Sequence, residues 1–128
     1  MSGGTPQVME LIKMYHLKEY PSKIAEVEIL ILSLDRQVNI YKEQLSFMDA
    51  DIENTIATMS EFLKNEQQRK TKRLELKQEP DYLQAKAALA EAVEKRDQEV
   101  IQLNLLRNQF SVVKLEERKA IAQMEAVA

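Results

Sequence analysis

Apolar residues recur at helical spacing along almost the whole chain, and one stretch keeps a strict seven-residue repeat. With a heptad a position at Ile24, the seam continues through Val27, Ile31, Leu34, Val38, Tyr41, Leu45, Met48, Ile52, Thr55, Met59 and Phe62. Ten of these twelve positions are aliphatic, Met or Phe; only Tyr41 and Thr55 depart. An unbroken run of this kind predicts left-handed coiled-coil packing. Further along, one row holds Tyr82, Leu89, Arg96, Leu103, Phe110, Glu117 and Met124, and its neighbour Ala85, Ala92, Glu99, Leu106, Val113, Ala120 and Val127. A third row of Val93, Val100 and Ile121 broadens that face, which predicts packing against more than one helix.

Proline and glycine punctuate the pattern. Thr5-Pro6 suits an N-cap followed by proline in the first helical position, and Val8, Leu11, Ile12 and Tyr15 then share one face. Tyr20-Pro21-Ser22 predicts a break, and Glu79-Pro80-Asp81 a second one, because proline disfavours helix at the residue before it. The expected fold class is all-α: a long antiparallel coiled-coil helical hairpin preceded by a short amphipathic helix. Residues 1–21 form the N-terminal segment with the short helix, 22–78 the first long helix, 79–81 the turn and 82–127 the second long helix. Their lengths would be roughly 85 Å and 70 Å at about 1.5 Å per residue.

A reversal at Pro80 pairs residues whose numbers sum to about 160, as in a closed αα-hairpin. Phe110 is then expected near Ala50 and Leu103 near Ala57. Towards the tip Glu66, Arg69 and Arg73 take the next core positions, opposite the run Ala85-Lys86-Ala87-Ala88-Leu89-Ala90. Long cationic stems would lie across those small residues, making the tip the less stable end. Off the seam, Ile29, Leu32, Ile40 and Phe47 form an extra apolar row. The short helix covers part of such a surface and another subunit the rest, so a homo-oligomer is expected. Its interface would comprise these four residues with Leu103, Leu106, Phe110 and Val113.

Composition narrows the chemistry. The chain has no Cys, no Trp and one His, and its two glycines are Gly3 and Gly4. Disulfides, thiolate zinc sites, a cysteine nucleophile, a two-histidine metal site and a downstream glycine-rich phosphate loop are excluded. The expectation is a non-enzymatic protein with no cofactor, no metal and no small-molecule substrate. Among Asp49, Asp51 and Glu53 only Asp49 and Glu53 share a helix face, which reads as a solvated charged surface rather than a cation site. His16 reads as a surface or interface residue, and Met48 and Met59 as fillers of the seam. The opening residues have neither the basic stretch nor the apolar run of a secretory signal. Ile29-Leu30-Ile31-Leu32 is far short of the roughly 20 apolar residues a bilayer span needs. A cytoplasmic protein without a membrane partner is expected.

Net charge is −3. Between residues 64 and 78, however, Lys64, Arg69, Lys70, Lys72, Arg73 and Lys77 oppose only Glu66 and Glu75, a local +4 that leaves −7 for the remainder. Charge polarised towards the expected tip suits a polyanion, and Tyr82 beside it is an aromatic of the kind that stacks on bases. The plainer reading is a hydrated helix face, partly neutralised across the hairpin by Glu91, Glu94 and Asp97.

Two segments, Lys64-Asn65-Glu66-Gln67-Gln68-Arg69-Lys70 and Leu105-Leu106-Arg107-Asn108-Gln109-Phe110-Ser111-Val112-Val113-Lys114, stand on either side of a short acidic turn and a helical stretch. In this order they resemble the UvsY-like recombination-mediator family of bacteriophages, over roughly residues 38–120. The resemblance implies an oligomer that binds single-stranded DNA and helps load a recombinase or annealing protein. It would place phosphate contacts on the Arg/Lys run before the turn and on Arg107 and Lys114. The expected function is therefore a recombination accessory factor binding single-stranded DNA through basic hairpin tips. The alternative is a structural scaffold or prefoldin-like chaperone that binds proteins through Ile29, Leu32, Ile40 and Phe47, with no nucleic acid.

Overall fold

The computed structural model describes residues 6–127, with side-chain surroundings from Leu17 onward. All of its regular structure is helical: α1 spans Pro6–Thr58, α2 Glu66–Leu76 and α3 Pro80–Val127. The all-α class and the two long helices are as the heptads predict. Their boundaries differ from the expected ones at both proline-marked breaks.

At the first break there is none. Pro21 lies inside α1, so the short helix and the first long helix are one element. An interior proline removes one backbone hydrogen bond and crowds the carbonyl four residues back. Contacts on either side span the position: Glu19 and Lys23 bridge across Pro21 at 3.5 Å, and the Tyr20 ring stacks on Phe110 at 5.5 Å between centroids. The predicted face of Val8, Leu11, Ile12 and Tyr15, and His16, lie outside the described side chains.

The second difference is larger. α1 ends at Thr58 rather than running to residue 78. Thr55 and Thr58 donate their hydroxyls back to the carbonyls of Asp51 and Thr55, at 2.9 and 2.8 Å. Such back-bonding weakens helix continuation. The Met59 carbonyl then accepts from the amides of both Phe62 and Leu63, at 2.9 Å each, and closes the turn. Asn65 caps α2: its side chain accepts from the Gln68 amide at 2.8 Å, while the Gln68 carboxamide accepts from the Lys64 amide at 2.8 Å. The chain therefore reverses at residues 59–65. Pro80 opens α3 in the first helical position, with the Glu79 carbonyl accepting from Leu83 at 3.1 Å.

The chain packs as two units, residues 33–96 and residues 1–32 with 97–128. In the first, Asp49 meets Tyr82 and Asp35 meets Arg96. These pairs sum to 131, not to about 160. That register sets Val38, the most deeply buried side chain, level with buried Ala92. The alanine-rich run consequently faces the middle of α1 instead of Glu66, Arg69 and Arg73; Ala88 and Ala92 share a surface hollow with Tyr41. In the second unit Tyr20 meets Phe110 and Glu28 meets Arg107. Phe110, expected beside Ala50, takes Tyr20 as its ring partner.

The heptad seam of α1 holds through Ile52 and then slips. Thr55 is exposed and Ile56 buried; Phe62 is 74 % exposed while Leu63 is half-buried. The slip turns Ile56 towards Ile52 and Tyr82, with Leu45, Met48, Leu63 and Leu76 around them. On α3 the two expected rows are buried or half-buried from Tyr82 to Ala120, and of the third only Val93 is. That face is a two-row seam, narrower than its composition suggested.

Candidate nucleic-acid interface

The basic stretch occupies α2 and its flanks, and the fold changes its electrostatics. Because α2 runs back along the end of α1, Arg73 reaches Glu53 with two bonds, Nε to Oε1 at 2.6 Å and a terminal nitrogen to Oε2 at 3.1 Å. This bidentate fork is the strong form of a carboxylate–guanidinium contact. The Arg73 bond, reinforced by the charges of Arg73 and Lys77, holds the Glu53 carboxyl below its ordinary pKa, and the same bond raises that of Arg73. Arg69 pairs with Glu66 at 3.4 Å and Lys72 with Glu75 at 3.6 Å. Among the described residues, Lys64, Lys70 and Lys77 have no ion-pair partner.

Tyr82 is not available for stacking on a base. It is 8 % exposed, and its hydroxyl donates to Asp49 Oδ1 at 2.9 Å. Burial first, then the bond and charge of Asp49, push its phenol pKa up. The fold makes it a core residue because the slipped seam needs a large ring between Ile52 and Ile56.

The surroundings are acidic. From Asp49 to Tyr82 the chain carries eight carboxylates against six cations. The run read as +4 in isolation thus sits in a segment of net −2, because Asp49, Asp51, Glu53 and Glu61 precede it and Glu79 and Asp81 follow. A hollow beside Tyr82 is edged by Asp51, Glu79 and Asp81 and floored by Met48, Ile52 and Leu76. Among the described residues no group of three or more His, Cys, Asp or Glu is placed to hold a metal.

The two basic residues near the second resembling segment are also engaged. Arg107 pairs with Glu28 at 2.9 Å, and the Lys114 ammonium lies 4.2 Å from the centre of the Phe110 ring. Of the expected oligomer interface, Leu103 is buried, and Leu106, Phe110 and Val113 are half-buried in the two rows of α3 that form its seam. They line the chain's own seam. Ile29, Leu32, Ile40 and Phe47 are exposed as expected, from 52 % to 72 %.

The signal for the Glu53–Arg73 pair was present in Asn65-x-x-Gln68, a helix-start pattern that marks α2 as a separate element. No described helix is long and apolar enough to cross a membrane. Comparison with protein families, characterised proteins and solved structures finds no match to this chain.

Proposed function

We infer that this chain is a non-enzymatic coiled-coil module that acts by helix–helix association with proteins, its own copies first among them. The observation that carries this reading is the distribution of unsatisfied surface. Three of the six cations of the basic stretch are paired with neighbouring carboxylates, whereas among the described residues sixteen large apolar side chains remain exposed. Ion pairs that already exist within a chain leave less net charge to release counterions from a nucleic acid. Apolar surface on that scale is costly to leave in water. The test is sedimentation velocity of the native chain across a hundredfold concentration range: association is expected, and a monomer at every concentration overturns the reading.

A second reading rests on Lys64, Lys70 and Lys77, three cations around one short helix without ion pairs among the described residues. It is single-stranded DNA binding, in the service of a recombinase or annealing protein. Anisotropy of labelled oligo-dT decides it. Binding that weakens with a log–log salt slope of roughly −0.7 per phosphate supports it, and no binding at about 50 mM salt removes it.

A further inference from the structure

The face of α3 turned away from its own seam carries a second heptad row. Ile101, Leu105, Val112 and Leu115 expose 68 %, 49 %, 55 % and 53 % of their surface. With exposed Asn108 among them, their spacing is four, three, four, three residues. This is the alternation of a coiled-coil seam, and the row stays within the unit that contains residues 97–128. Gln98 and Lys119 bound it at the next heptad positions.

Between residues 101 and 115 this face carries no charged residue, in a chain that is 30 % charged; Glu116 and Arg118 flank it beyond that span. The positions flanking the row between residues 101 and 115 are Gln102, Asn104, Gln109 and Ser111. The only charged residues in that span are Arg107 and Lys114, and both are engaged within the chain, on Glu28 and on the Phe110 ring. The outer row of α1 is different: Arg36 stands between Leu32 and Ile40, and Glu43 between Ile40 and Phe47.

We propose that this outer face of α3 is a self-association seam, and that its occupant is the same face of a second copy, parallel and in register. The inference rests on the association reading above and locates its surface. Asn108 selects the partner and its direction. In register, each apolar residue meets its own copy, and Asn108 meets Asn108, whose carboxamide both donates and accepts and so complements itself. An antiparallel pairing that keeps heptad layers aligned opposes Leu105 to Leu115 and Asn108 to Val112, burying two amides against valines. A single polar layer in an apolar seam is an established way of setting register at some cost in stability. The uncharged flanks from Gln102 to Ser111 create no repulsion between identical chains and offer no charge pattern for a different one. α3 is already ordered by its inner seam, so pairing incurs little additional helix-forming cost. The apolar row is only about 21 Å long, which suits dissociation constants of micromolar order.

The absence of Cys makes the test direct. Leu105→Cys and Leu115→Cys, each alone in a mildly oxidising thiol buffer, are expected to form covalent dimers, with Phe47→Cys cross-linking at least tenfold less. Dimers from a mixture of the two α3 variants but from neither alone mean antiparallel pairing and overturn the proposal, as does cross-linking by Phe47→Cys at an equal rate. Val112→Glu completes the test by sedimentation, with circular dichroism confirming that the helices persist. A shift to monomer is expected. If the native chain associates and Val112→Glu associates equally, the α3 seam is wrong while the association reading stands; if the native chain is monomeric, both fail.

Discussion

Ile56→Ala tests the slipped seam at the end of α1. Ile56 is 6 % exposed and packs with Ile52 and Tyr82. The substitution removes three carbons, worth about 0.8 kcal/mol each when buried, or roughly 2.4 kcal/mol. Isoleucine-to-alanine changes in cores span about 2–5 kcal/mol once cavity effects are added. Here the cluster is walled by half-buried Leu45, Met48, Leu63 and Leu76, so water and side-chain relaxation limit the cavity, and the expected loss is about 2.5 kcal/mol. Thr55→Ala, by contrast, deletes an exposed side chain whose hydroxyl bonds back to the Asp51 carbonyl, and should change stability by less than ~0.5 kcal/mol. Urea denaturation followed at 222 nm resolves the two. With an m-value near 1.3 kcal/mol/M, the Ile56→Ala midpoint falls by roughly 2 M and that of Thr55→Ala stays in place. An uninterrupted heptad requires the reverse order; equal effects, or a larger one at Thr55, would refute the packing described here.

Other consequences are independent of that cluster. Tyr82 has a raised phenol pKa, so its contribution is complete below the unfolded value of about 10 and is lost as pH rises beyond it. Absorbance titration should show a phenol ionising above the ordinary value of about 10, a feature absent in Tyr82→Phe. Glu53 has a lowered pKa, so its contribution is present above the ordinary carboxylate value of 4.5 and is lost as pH falls through the lower folded value. In Arg73→Gln, an NMR titration should find the Glu53 carboxyl returned upward towards that value. Asn65→Ala removes the cap of α2 and should cost about 1 kcal/mol, read as a fall in melting temperature. Pro21→Ala restores a backbone hydrogen bond within α1 and should stabilise by about 1–3 kcal/mol; an unchanged or lower melting temperature argues against a continuous helix there.

The heptads of Ile24 to Ile52 and of Tyr82 to Ala120 were legible because burial of one stripe imposes a period that sequence displays directly. The reversal was not, because Pro80 and the residues 59–65 offer competing signals. A proline is compatible with a turn and equally with the first position of a new helix, and only packing distinguishes them. Ile56 decides it: burying this side chain with Tyr82 needs the chain to turn back after Thr58, bringing Leu63 and Leu76 over the cluster. Once that register is set, Arg73 falls beside Glu53, and a basic run twenty residues away in sequence becomes an ion pair. Linear charge counting could not register this, because the carboxylate that Arg73 meets comes from the preceding helix. The outer row of α3 was visible as letters, yet its meaning depended on knowing that Leu103, Leu106, Phe110 and Val113 face inward.

The most direct test of helix–helix association as the working principle is sedimentation equilibrium of the native 14.8 kDa chain at about 0.1 M and 1 M sodium chloride. Salt screens ionic contacts but leaves apolar association intact. The account predicts a mass near twice the monomer at tens of micromolar, unchanged or larger at high salt. A monomer mass at both salts, or a dimer that dissociates as salt rises, would contradict it.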